Sequence, residues 1–278
     1  MPSPPSSVEQ LRLLLIQARN TDAMERQELT CFVERCRVRR EQIHAVNVTR
    51  TTLQPALLDD VDALMIGGAG EYSALDDTPW MPALLDLVRA AADRRLPTFG
   101  SCWGHQIIAR AMGGHVMHDP DRAELGCGTV QLADGGAQDP LFSSFPPSFN
   151  ANMGHHDRVD ILPPGAIELA HNASQRNQAF RLADAPIYGT QFHSELDAAR
   201  ERERLIAYRD YYRQDLPDED EFQEVLDNLS ETSEVDSLLY DFLMMYAVSS
   251  PAEQEAHVSS SRSDTPPPPD RTARPPAD

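Results

Sequence analysis

An alternation of short apolar strands with helices in the N-terminal part of the chain constrains its fold more than any other feature. Residues 11–18 read as a buried first strand, and residues 21–37 follow with helical spacing of Met24, Leu29, Phe32 and Val33. Residues 43–48 alternate apolar and polar, as a second strand would. Residues 63–66 are a short apolar run that ends in Gly67-Gly68-Ala69-Gly70. An amphipathic helix is expected over 80–94, a strand over 96–100 and a helix over 104–112. This order calls for a parallel sheet wrapped by helices, since parallel neighbours need a long crossover between them.

After Gly113 the pattern changes. Shorter strands are expected over 116–117, 128–132, 149–153, 167–170, 179–182 and 187–192, separated by turns rich in Gly, Pro, Asp and Asn. They imply a small antiparallel layer, inserted before the chain returns to the main sheet. Helical segments follow over 198–212 and 235–246, with an acidic stretch at 216–221 between them. Residues 1–9 read as a disordered leader and residues 10–248 as one domain, of which 197–248 form a helical C-terminal extension. From 249 to 278 the chain is rich in Pro, Ser and Asp, a composition that cannot bury a core and predicts disorder.

Charge narrows the function classes. The formal net charge is −20, which disfavours phosphate backbones and anionic lipids, so neither nucleic acid nor membrane is an expected partner. All 24 basic residues are arginine. Without lysine there is no Schiff base and no phosphate loop of the GK[ST] type. No apolar run approaches a membrane span, and the N-terminus lacks the order of a secretory signal. A cytoplasmic protein is expected. Its four cysteines, Cys31, Cys36, Cys102 and Cys127, have no zinc-ligand spacing, so neither metal nor cofactor is expected.

Cys102 stands in Gly100-Ser101-Cys102-Trp103-Gly104-His105-Gln106, between an expected strand and an expected helix. A strand-to-helix elbow exposes its central side chain at the C-terminal end of the strand, where open α/β sheets place their ligands. The start of a helix also favours a thiolate. His193 and Glu195 follow the last core strand in Gln191-Phe192-His193-Ser194-Glu195. In extended chain, i and i+2 project on one side, so Glu195 can orient the His193 imidazole. The glycine turn after residue 66 can aim a backbone N–H at an oxyanion. It lacks GxGxxG spacing, which sets nucleotide binding aside. Taken alone, each of these signals is equally consistent with a buried structural cysteine, a surface His-Glu pair and an ordinary βα turn. Their order along one sheet favours nucleophilic catalysis.

Together the elbow, the strand-turn over 62–70 and the His193 segment resemble a class I glutamine amidotransferase, similar to the glutaminase domain of GMP synthase and its free-standing relatives. Glu124-Leu125-Gly126 and Met153-Gly154-His155-His156-Asp157-Arg158-Val159 add to the likeness, which covers about residues 11–247. The resemblance implies a flavodoxin-like open sheet, mostly parallel and flanked by helices. It implies a Cys102-His193-Glu195 triad and an oxyanion hole from the N–H groups of Gly68 and Trp103. It also implies substrate contacts from Gln106 and from a loop over 154–157 containing Gly154, His155 and His156. Ala69 and Ser194 stand where the family often has proline, and Gly154 and His156 replace its commoner Ser and Gly. The last difference bears on substrate identity.

Three functions fit. The first is hydrolysis of the glutamine side-chain amide through a thioester, with ammonia passing to a separate synthetase. The second is the same chemistry on a γ-glutamyl peptide or conjugate. The third is a catalytically silent binding module, against which the intact Cys102, His193 and Glu195 argue.

Overall fold

The computed structural model describes residues 5–213 and 216–249. The N-terminal half contains β1 (Leu13–Gln17), α1 (Asp22–Arg35), β2 (Ile43–Asn47), β3 (Ala63–Ile66), α2 (Met81–Asp93), β4 (Thr98–Ser101) and α3 (Trp103–Ala111). There follow β5 (His115–His118), β6 (Glu124–Leu132), α4 (Asp134–Ala137), β7 (Ser148–His155), β8 (Asp157–Ile161), β9 (Ala166–His171), β10 (Ala179–Leu182) and β11 (Ile187–Thr190). The chain then forms α5 (Ala198–Ala207), α6 (Arg209–Tyr212), α7 (Glu219–Asp227) and α8 (Leu238–Tyr246).

One nine-stranded sheet runs in the order β2-β1-β3-β4-β11-β10-β9-β6-β7. The strands from β2 to β11 are parallel, and those from β11 to β7 pair antiparallel. The sheet is the α/β open sheet expected, but most antiparallel strands extend it instead of forming a layer of their own. Among the described residues, only β5 and β8 pair apart from it. The reason lies in β11, which enters beside β4 and leaves its far edge for β10 to continue.

β1 shows why the parallel half forms. All five of its residues are buried, as a strand covered on both faces requires. Leu13 and Leu15 pack with Phe32 of α1 and Phe242 of α8. Leu14 and Ile16 face the opposite layer, with Leu84 of α2 and Ile107 of α3. The Thr21 side chain caps α1 by accepting from the Met24 N–H at 3.3 Å. Met24, Leu205, Tyr208, Tyr212, Phe222 and Leu226 form a third cluster, which seats the C-terminal helices beside the start of α1.

Several boundaries differ from expectation. Val8 is buried in a short 3-10 turn, so ordered chain begins inside the expected leader. Residues 1–4 of that leader and 250–278 of the expected tail lie outside the described residues. The stretch read as a loop over 154–157 is the end of β7 and the start of β8, with His156 alone between them. The helix expected over 198–212 breaks at Tyr208, and α7 begins within the acidic stretch, capped by Asp218. Among the described residues, no helix is long and apolar enough to cross a membrane.

Candidate active site

β4 and β11 are adjacent and parallel, with Ser101 opposite Thr190. This single pairing brings the elbow and the His193 segment to the same end of the sheet. Cys102 lies between β4 and α3 with φ 52° and ψ −104°. A positive φ is costly for a residue with a side chain, and such strain concentrates where a group must be presented rather than packed. The Cys102 N–H donates to the Thr190 carbonyl at 2.7 Å, fixing the elbow to β11. Gly104 permits the close approach of α3, because a Cβ there would run into the Ile66 carbonyl of β3.

His193 is held from the other side. Its N–H donates to the Asn152 carbonyl of β7 at 2.9 Å. The ring Nδ1 lies 3.0 Å from Glu195 Oε1, and the ring hydrogen-bonds with the Cys102 side chain. The Cys102 thiol also approaches the Gly154 carbonyl at 3.7 Å, and the Gln191 amide approaches the sulfur at 3.8 Å. Cys102, His193 and Glu195 are thus brought together, all three buried.

Electrostatics divide the site. Burial pulls the His193 pKa down, but Glu195, Cys102 and Glu201 more than reverse this, leaving it well above its ordinary value. Burial pushes the Glu195 carboxyl up, while His193, Arg204 and Ser101 hold it far below the usual carboxylate range. Its partners are specific. Ser101 Oγ donates to Oε2 at 2.5 Å and Arg204 Nη1 to Oε1 at 2.8 Å. Burial raises the Cys31 thiol to about 12 and raises that of Cys36 further, as suits packing residues.

The expected oxyanion donors differ from each other. Trp103 is the first residue of α3, directly after Cys102. A Cβ on Gly68 would lie 3.5 Å from His193 Cε1 and 3.9 Å from Cys102 Cβ, so the glycine turn reaches the site. Its N–H, however, donates to Glu28 Oε1 at 3.0 Å. Glu28 in turn is paired with Arg19 Nη2 at 2.5 Å, both side chains being fully enclosed. The Gly68 amide therefore serves an α1 carboxylate, where the sequence led us to expect it turned to the site. Nothing local in sequence could show this, since Glu28 and Gly68 meet only through the β1-β3 pairing.

A pocket of about 190 Å³ opens over Cys102, lined also by Trp103, Gln106, Gly154, His156, Tyr72 and Tyr212. Gln106 borders it, but its amide donates to the Asp157 carbonyl at 2.7 Å and to Gln191 Oε1 at 3.1 Å. His155 borders it too, though its ring is buried between the Asp157 carbonyl and a Glu124–Gln175 pair. Both residues are tied into the wall. His156 stands at the rim, its ring 5.6 Å from Tyr212 and 6.2 Å from His118. A Cβ on Gly154 would lie 3.2 Å from Tyr212 Oη, 3.4 Å from Glu201 Oε1 and 3.7 Å from His193 Nε2. Among the described residues, no group of three or more His, Cys, Asp or Glu is placed to hold a metal ion.

The family model for class-I glutamine amidotransferases matches residues 27–209. The chain belongs to that family. Within it, the chain is 33% identical over 139 residues to the glutamine-hydrolyzing subunit of GMP synthase from Sulfolobus acidocaldarius, covering 50% of this chain and 70% of that one. Its counterpart in Methanosarcina barkeri is 31% identical over 156 residues, covering 56% and 76%. Against the longer glutamine-hydrolyzing GMP synthase of Thermosipho africanus, at 31% identity, the match covers 48% of this chain but only 24% of the relative. In fold, the amidotransferase chain is similar to the crystal structure of a glutamine amidotransferase from Thermotoga maritima. The TM-score is 0.68 at 21% identity, covering 87% of this chain and all of the other. A glutamine amidotransferase from Methylobacillus flagellatus gives 0.69 at 23% identity, over 86% of this chain and 96% of the other.

The sequence left three residues of this class-I site unmarked: Ser101, Glu201 and Arg204. The last two lie in Arg200-Glu201-Arg202-Glu203-Arg204, which reads as a solvated charge run. The available signal was the i, i+3, i+7 spacing of Glu201, Arg204 and Tyr208, which puts all three on one helix face.

Proposed function

We propose that the chain hydrolyses the side-chain amide of glutamine and releases ammonia to a separate synthetase. The observation that carries this is a strained cysteine at a helix start, hydrogen-bonded to a histidine whose other nitrogen meets a buried carboxylate. The Cys102 thiolate attacks the side-chain carbonyl carbon. His193, protonated and opposite Glu195, gives its proton to the departing nitrogen, which leaves as ammonia. Water then attacks the thioester carbonyl, His193 takes its proton, and glutamate departs as the thiolate is restored. The Trp103 N–H lies at the developing oxyanion, and the Gly68 N–H joins it by exchanging Glu28 for the substrate oxygen. The relatives named as one subunit of GMP synthase support a separate synthetase as acceptor, with GMP synthesis the first to try.

A second substrate class is favoured by the rim. His156 and Tyr212 stand where a γ-glutamyl compound longer than glutamine would pass, so γ-glutamyl peptides are the competing substrates.

The test is ammonia or amine release by the purified full chain from glutamine and from γ-glutamyl dipeptides, with and without the synthetase component of a GMP synthase. Wild type should release product and Cys102→Ala none. His156→Gly should change the ratio of kcat/KM between the two substrate classes. Equal release by Cys102→Ala removes the thioester route. No release from either substrate, with the synthetase present, promotes the binding-module function.

A further inference from the structure

Helix α5 leaves the His193–Glu195 segment almost at once, capped by Asp197, and turns a charged face back onto it. Glu201 and Arg204 on that face are nearly fully buried. Arg204 Nη1 donates to Glu195 Oε1, the same oxygen that meets His193 Nδ1. Its Nε donates to Gln27 Oε1 of α1 at 3.1 Å, which fixes the guanidinium from behind. With Ser101 on the other oxygen, Glu195 is locked in position and orientation.

Resting on the triad assigned above, we propose that Arg204 is a positioning residue: through Glu195 it sets the orientation of His193 and the charge against which His193 and Cys102 share a proton. A carboxylate opposite one imidazole draws it strongly toward the imidazolium form. A guanidinium on the same oxygen balances part of that charge, so His193 can both take and return a proton during a cycle. The surroundings are crowded with charge. Arg204 faces Glu195, Glu28 and Cys31, is opposed by Arg19, and has Glu201 one turn back on its own helix. His193 faces Glu195, Cys102 and Glu201. Glu201 is pushed up by burial and by Glu195, against the pull of His193, Arg204 and Arg19. It therefore favours its neutral form, which leaves Arg204 as the main counterweight to Glu195.

The experiment reads Cys102 itself and needs no substrate. The rate of iodoacetamide labelling at Cys102, mapped by mass, is followed against pH in the full chain. Removing the Arg204 charge leaves Glu195 unbalanced and stabilises the imidazolium, so the Cys102–His193 protonation steps move to higher pH. R204Q should shift the labelling profile by about one pH unit toward alkali. R204K should keep the wild-type profile. In turnover, R204Q should lose at least about tenfold in kcat with KM little changed, since Arg204 is placed behind the triad and not in the pocket. Should R204Q fail to fold, the Q27L/R204M pair removes both buried polar partners together and carries the same readout. An unchanged profile in the neutral variants, or the same shift in R204K as in R204Q, overturns the proposal. If wild type turns over neither glutamine nor a γ-glutamyl dipeptide, the proposed function fails, while the labelling profile still decides the role of Arg204.

Discussion

His105 is enclosed completely, its ring 4.8 Å from Phe180 and packed against Gly189 of β11. Burial lowers its pKa to about 3, against some gain from hydrogen bonding to the backbone. In the unfolded chain the same group titrates near its ordinary value of about 6.5. Between those two values the unfolded state binds a proton that the folded state refuses, so stability rises with pH across the window and falls as pH is lowered. His105→Leu should remove that component. Its urea midpoint should change less between pH 7 and pH 5 than the wild-type midpoint does, and equal slopes would show that His105 is not the sensor. At this scale, what could be read from sequence was whatever lay close together in it. His193 and Glu195 are two apart, and Cys102 sits among its own glycines. Arg204 and Glu28 reach the site through space, from helices whose local pattern describes only a charged face.

α3 is set down on β3 with almost no clearance, because Gly104 lies against the Ile66 carbonyl. A methyl group there must push the helix outward, at a cost of about 1–3 kcal/mol. It would also carry the Cys102 elbow with it. Gly104→Ala should lower Tm by several degrees and slow Cys102 labelling together. A loss of Tm with unchanged labelling would mean that the elbow is held by its Thr190 bond alone. Elements with a strong period or a tight apolar run were legible. β3 and β10 lie where the sequence puts them, residues 63–66 and 179–182. β8 was not legible, because Asp157-Arg158-Val159-Asp160-Ile161 is half polar and pairs only with β5, away from the main sheet. α7 was hidden by the acidic first turn that its N-terminus favours.

The whole molecule closes with α8, whose Phe242 stacks edge-on to Phe99 of β4 at 5.3 Å and to Tyr188 of β11 at 5.7 Å. The helix therefore covers the two strands that bring the site together. A chain ending at Ser249 should keep its Tm and its labelling rate, since the Pro- and Ser-rich composition beyond offers no apolar face. A chain ending at Leu229 loses Phe242 and Leu239 from the core and should fail to fold, as read by circular dichroism and protease resistance. Full stability of the shorter chain would place the essential core elsewhere. The overall α/β plan was legible from strand-helix alternation, which is set by local periodicity. The continuation of one sheet through β10, β9, β6 and β7 was not, because antiparallel partners are chosen by edges that only the assembled sheet presents.

The place of β11 in that sheet has a consequence in time. It fills the slot between β4 and β10, and it is the last strand to be made. While the polypeptide is being synthesised, Cys102 emerges long before the strand that delivers its base. The newborn protein thus carries an ordinary thiol until nearly its entire sheet exists. A ribosome-bound fragment ending at Pro186 should label at Cys102 no faster than an unstructured cysteine, and a faster rate would mean that β11 is not needed. A stalled or clipped chain is chemically quiet by construction, because the order of translation withholds the second half of the site until the fold can contain it.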